Sequence, residues 1–355
     1  MDFISLIGAN ALNEAIGNLI YTYLYGWVQT WSDDWSLVGA FSITVIMFTI
    51  FLKVIVFPLD LWQKIVMRKN AKKMEAMRPA LEKIQKQCGS NQQLLMQKQR
   101  ELYKQHKYSM FGSCLPMIVT MAVFFIVFGG FNASVSIHNQ KTYEALEEIF
   151  DTTYKEAILE CEAQGMTEEE NGAEMYAYGI DKAGKAVVAE YDANYKESFF
   201  WVKSIFAGDT WADTIPSASE ASKNIPDLNA AKYDKVMKPL MDRYNDGWNG
   251  YLILPILVLG VNILSMFLNK QQMQQPSVPG QTEEQAKAQK SQAKIMQFIM
   301  PAMMFVFALF YSGAFTLYMF VNMVFTTIIN LVFNIVTKRK DALEKDRILS
   351  TTYKK

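Results

Sequence analysis

Long uncharged runs alternate with polar segments along this chain. Leu37 to Leu59 forms a stretch of 23 residues in which Lys53 is the one charge, and Met110 to Ile137 carries none. Asn245 to Asn269 holds only Asp246, and Ile295 to Thr337 stays uncharged for 43 residues. About 20 apolar residues suffice for a helix to cross a bilayer. The last run is twice that length, and the Ser312-Gly313 pair near its middle is the natural place to turn. The pattern predicts an all-α polytopic membrane protein with five spans at residues 36–59, 110–137, 249–269, 295–313 and 314–337.

Between the runs the periodicity changes. In residues 1–35, Leu12, Ile16, Leu19, Ile20 and Trp27 recur at helical spacing while Asn10, Asn13, Glu14 and Asn18 interrupt the apolar face. This predicts an amphipathic helix lying in the membrane interface, with a sixth span as the alternative. Residues 60–109 place Met74, Met77, Leu81 and Ile84 at 3-4 spacing before a break at Gly89-Ser90-Asn91, then Leu95 and Leu102 seven apart. They predict a helical hairpin with a basic exterior. Residues 138–248 predict an acidic, mainly helical region in which residues 140–197 look like an insertion, with a hairpin near Gly184 and an amphipathic, interfacial aromatic cluster from Phe199 to Phe206.

Charge orients the spans. The chain holds 35 Lys+Arg and 35 Asp+Glu, yet residues 61–109 hold 12 and 3, and residues 138–248 hold 11 and 22. Residues 1–36 hold 0 and 4, and the tail, residues 338–355, holds 7 and 3. Cytoplasmic segments concentrate lysine and arginine. The N-terminus and the acidic loop are therefore expected outside, with the hairpin, the 270–294 loop and the tail in the cytoplasm.

Lys53 then demands an explanation, since a charge at the centre of a span costs about 2.5–3.5 kcal/mol. Either its stem snorkels to the headgroups or its ammonium faces a polar cavity. No acidic residue lies inside any of the five spans, so hydration is the expected means of stabilising it. Polar stripes accompany it: Ser42, Thr49 and Lys53 share one face of the first span; Asn262, Ser265 and Asn269 share a face of the third; Tyr318, Asn322, Thr326 and Asn330 recur every four residues in the last. Such stripes serve interhelical hydrogen bonding or line a wet groove.

Catalytic signatures are thin. Gly179 to Lys185 copies the spacing of a phosphate-binding loop, but Ala186 stands where the magnesium-binding Ser or Thr belongs. His106 and His138 lack ligand spacing, and Cys88, Cys114 and Cys161 define neither a disulfide framework nor a metal cage. No enzyme, cofactor or metal is expected. A solute or ion transporter or channel is the rival class, opposed by the odd number of spans and the lack of an internal repeat. A membrane-protein assembly scaffold is the third reading.

FLKVIVFPL, FGSCLPMIVTMAVFF, FFWVKSIFAGD, YLILPILVLGVNIL and QFIMPAMMFVFALFYSGAFTLYMFVN occur in that order. The series resembles the YidC family of membrane protein insertases over roughly residues 36–137 and 198–337. The resemblance implies five spans around a hydrophilic groove open to cytosol and lipid. It also implies that short hydrophilic segments of nascent membrane proteins cross there while apolar segments pass to lipid. Lys53 stands where the family carries an arginine, so charge is kept but the planar fork is lost. Thr120 replaces the usual glutamine of the second span. Lys53, Thr49, Ser42, Thr120, Tyr318, Asn322, Thr326 and Asn330 are the expected groove residues. Nascent chains and membrane lipids are the expected partners, with the ribosome through the basic hairpin and tail and the Sec translocon by resemblance. The resemblance also implies a bacterial plasma membrane location. A protease added outside intact cells should cut within residues 138–248, and cleavage confined to residues 61–109 would reverse the orientation.

Overall fold

The uncharged runs become helices because a backbone in hydrocarbon must satisfy its own polar groups. The computed structural model describes residues 9–32, 37–88, 91–108, 111–225, 227–268, 298–299 and 301–352. Among them there is no β-strand, only isolated bridges pairing Val38 with Phe199 and Phe199 with Val202. Helix α1 (Ala9–Asn18) passes through a π-helical segment (Leu19–Tyr25) into α2 (Gly26–Ser32). Then come α3 (Ala40–Cys88), α4 (Gln92–Gln105), α5 (Phe111–Ala163), α6 (Glu168–Glu190), α7 (Ala218–Ala221), α8 (Ala230–Tyr244) and α9 (Ile253–Leu268). Last are α10 (Pro301–Phe310) and α11 (Gly313–Thr352). Stretches of α3, α5 and α11 are long and apolar enough to cross a membrane, and α9 and α10 are shorter apolar helices. The loop expected at 270–294 lies outside the described residues.

The chain forms two units, the first made of residues 1–48, 124–256 and 306–319. In it the N-terminal helix follows α5 in the same direction. Asn13 lies against Gly129, Ile16 against Gly130, Gly17 against Ala133 and Ser134, and the Tyr21 hydroxyl is 3.2 Å from His138 Nδ1. A Cβ at Gly17 would come within 2.7 Å of Ala133 Cβ, so only glycine allows this approach. His138 is buried and stacks on Phe206 at 3.5 Å between ring centroids.

The long segment of residues 138–248 has its own core, in which Phe150 of α5, Val187 of α6, and Tyr233 and Leu240 of α8 are buried together. Contrary to the expected hairpin at Gly184, α6 runs through that residue, which is buried against Pro239. A glycine inside a helix is tolerated where close packing needs it. The phosphate-loop look-alike at 179–185 is likewise helical, and its N–H groups are engaged in the helix instead of cradling an anion.

The Phe199 to Phe206 segment is an irregular loop with Val202 and Ile205 buried. The longer loop 197–209 satisfies the starts of three apolar helices. Glu197 accepts from Phe41 N at 2.9 Å and from the Tyr25 hydroxyl at 2.6 Å. Burial pushes the Glu197 carboxyl up, while those two hydrogen bonds pull it back. Asp209 accepts from Leu254 N at 2.7 Å, Leu252 N at 3.2 Å and the Trp201 indole N–H at 3.1 Å. Gly313 N and Ala314 N donate to the carbonyls of Ala207 and Ile205, both at 2.8 Å. The free N–H groups of α3, α9 and α11 thus converge on one loop, so these helices begin on the same side. Between α10 and α11 the chain turns at Tyr311-Ser312, and the Thr316 hydroxyl bonds the Ala308 carbonyl at 3.3 Å across the turn.

The second unit comprises residues 49–123, 257–305 and 320–355. Here α3 continues through Pro58 and Pro79 into a hairpin with α4, whose core is Met74, Met77, Leu81 and Leu102. Asn91 starts α4 by accepting from Leu94 N at 3.2 Å.

Asp209→Ala should lower the unfolding free energy of the detergent-solubilised chain by about 2–4 kcal/mol, because buried N–H donors lose their acceptor. Asp209→Asn keeps one acceptor oxygen and should lose less; equal losses in denaturant titrations would contradict this account of the loop.

Candidate functional site around Lys53

Helix periodicity sets the site. On α3, Lys53, Asp60, Lys64 and Arg68 fall at i, i+7, i+11 and i+15, which is one face of a 3.6-residue helix. On α11, Asn322, Thr326 and Asn330 form a similar line that Thr337 and Asp341 continue. The two lines meet in the second unit with both helices running the same way.

Lys53 Nζ donates to Thr326 Oγ1 at 2.9 Å, and that hydroxyl donates in turn to the Asn322 carbonyl at 2.7 Å. Asp60 Oδ2 lies 3.8 Å from Lys53 Nζ, and both side chains are 15% exposed. Lys64 Nζ donates to Asn330 Oδ1. Arg68 Nη2 donates to Asp341 Oδ2 at 2.6 Å and to the Thr337 carbonyl at 3.4 Å, and Lys72 Nζ donates to Asp341 Oδ1 at 3.1 Å. Four cations of α3 thereby meet acceptors on α11. The Lys72 and Asp341 pair, 56% and 42% exposed, is screened by water and weak; the Lys53 pair is far less so.

One expectation is corrected. The sequence offered Lys53 no acidic partner within the spans, but Asp60, a single residue beyond Leu59, supplies one. The boundary drawn at Leu59 hid it, because α3 does not end there. Spacing along α3 was the signal that could have found Asp60, Lys64 and Arg68.

The other expected residues are dispersed. Thr49 belongs to the second unit and is fully buried. Ser42 and Tyr318 belong to the first: Ser42 is buried with its hydroxyl 3.5 Å from the Ser198 carbonyl, and Tyr318 is buried with its ring centroid 5.2 Å from that of Phe131. The Thr120 side chain lies outside the described residues. On α9, Asn262 donates to the Val258 carbonyl of its own helix at 3.0 Å, and Asn269 lies outside the described residues.

A family model described as 60Kd inner membrane protein matches residues 34–164 and 185–340. The chain belongs to that family. Among curated relatives of this 60Kd inner membrane protein family member, the membrane protein insertase YidC of Fusobacterium nucleatum subsp. nucleatum is 40% identical over 92 residues, 26% of this chain and 43% of the relative. The protein of the same name from Caldanaerobacter subterraneus subsp. tengcongensis is 31% identical over 91 residues, 26% of this chain and 42% of the relative. That of Pelodictyon phaeoclathratiforme is 25% identical over 156 residues, 42% of this chain and 24% of the relative. The chain thus spans less than half the length of these relatives. Family and apolar helices together make this a multi-pass bacterial inner membrane protein. Between its two matched stretches the family model omits residues 165–184, the turn after α5 and most of α6.

The Asp341 carboxyl is held below its ordinary value by the Lys72 hydrogen bond first, with Arg68 adding to it. A depressed carboxyl contributes its stability above the unfolded value and loses it as the pH falls. The contact between α3 and α11 should therefore persist at neutral pH and fade below the ordinary aspartate value of 3.8. Asp341→Asn should speed tryptic cleavage after Lys338, Arg339 and Lys340 at pH 7; unchanged cleavage would deny the contact any hold on the tail.

Proposed function

We propose that this chain is a membrane protein insertase, moving short hydrophilic segments of nascent proteins across the membrane and releasing apolar segments to lipid. Its path is a hydrophilic groove open to cytosol and lipid, with Lys53 as its charge. Thr326, Asn322 and Asn330 line it near the lysine. The observation that carries this reading is an ammonium at depth in an apolar helix, held by a hydroxyl and a carboxylate yet still 15% exposed. The names of the relatives point to the same activity.

Orientation follows from charge. The basic hairpin and tail lie in the cytoplasm, and the N-terminus and residues 138–248 lie outside. The starts of α3, α9 and α11 at one loop support a topology in which these helices cross in the same sense. The ribosome is the partner of the basic hairpin and tail, and the Sec translocon is proposed from the resemblance.

The energetics are modest and need no nucleotide. A carboxylate approaching an ammonium to 4 Å at an effective dielectric near 20 gains about 4 kcal/mol before desolvation. Placing one acidic residue at the centre of a span costs about 2.5–3.5 kcal/mol. A wet cationic site thus offsets the crossing of a short acidic tail.

Insertion of a single-span substrate with an acidic outer tail, measured in cells depleted of the native protein, tests this reading. Lys53→Arg should stay active, and Lys53→Ala and Lys53→Gln should be impaired by about tenfold, the equivalent of 1.4 kcal/mol. Equal insertion by all three would leave the lysine without an electrostatic role.

A further inference from the structure

Asp60 does more than neutralise Lys53. It is separated from the ammonium by 3.8 Å, beyond hydrogen-bond length, so charge alone holds the pair. Thr326 supplies the short contact, at 2.9 Å from the ammonium. Four residues further along α3 stands Lys64, half-buried and engaged with the neutral amide of Asn330. Asp followed by Lys at i+4 is the favourable order for a helical ion pair. Asp60 therefore has two cations within reach on its own helix face, Lys53 behind it and Lys64 ahead.

We infer that Asp60 is an exchangeable internal counter-ion: a carboxylate of the incoming segment takes its place at Lys53 while Asp60 turns to Lys64. This rests on the insertase reading and extends it to substrate selection. In the exchange one ion pair is replaced by another, and no charge is left alone. The attraction for an acidic tail is accordingly discounted by the pair it must break, which lets neutral tails compete. Asp60 sets how acidic a tail must be to gain from Lys53, and Lys64 lowers the cost of displacing it.

The full chain in proteoliposomes is supplied with a single-span substrate whose outer tail carries either four carboxylates or none, and the ratio of acidic to neutral insertion is read. Asp60→Asn should raise that ratio by about 1.5- to fivefold, the span of a partly screened ion pair. Lys64→Gln should lower it, because the displaced carboxylate loses its second partner. In a Lys53→Gln background, Asp60→Asn should have no effect. Asp60→Ser provides a second variant with the same expected direction, and each variant is scored on the fraction that elutes as folded protein. If Lys53→Gln lowers the ratio but neither Asp60 variant raises it, the exchange is wrong and the groove reading stands. If Lys53→Gln leaves the ratio unchanged, the groove reading falls and the exchange with it.

Discussion

A cation inside an apolar helix must be given partners, and the way Lys53 receives them governs the second unit. Its ammonium meets a hydroxyl on α11 and a carboxylate on its own helix, and the hydroxyl donates its hydrogen bond to the Asn322 carbonyl. Thr326 can accept from the lysine because its own hydrogen is already committed. The polar line of α11 is thus matched to the cationic line of α3. A hydrophobic residue at Lys53 would remove the need for both. Burying a charge so elaborately is weak evidence for stability, since desolvation consumes much of the Coulombic gain. It is better evidence for a role in which the charge is used.

At the helix starts in the first unit the problem is the opposite one, namely helix N-termini whose N–H groups lack acceptors. Glu197 and Asp209 solve it with carboxyl oxygens that accept from those groups, and backbone carbonyls of the same loop help. Asn249 braces that loop by accepting from Ser204 N at 2.9 Å and donating to the carbonyls of Ser204 and Gly208. Glu197 and Asp209 are both buried, yet neither lacks partners, because each accepts from N–H groups at a helix start.

The apolar runs and charge asymmetry carried most of what could be read about architecture, because the bilayer enforces long helices and biases lysine and arginine to one side. Lys53, Thr326 and Asn322 were recognisable as polar residues in oil. Asp60 was missed for a physical reason: Pro58 suggests a boundary, but α3 continues through it. A proline removes one helical hydrogen bond and leaves the rest of a long helix intact. Gly184 was misread because local signals cannot reveal a close neighbour such as Pro239. Ser42 and Tyr318 share a stripe with their neighbours, yet a helical stripe says nothing about which of its residues meet a given partner.

Water at Lys53 is the claim on which the functional account stands, and thiol accessibility measures it. In a background with Cys88, Cys114 and Cys161 replaced by serine, Lys53→Cys is exposed to a charged, membrane-impermeant thiol reagent from either side of sealed vesicles. The account predicts modification from the cytoplasmic side and protection from the other. A cysteine that reacts from neither side while a control cysteine in the hairpin reacts fully would contradict it.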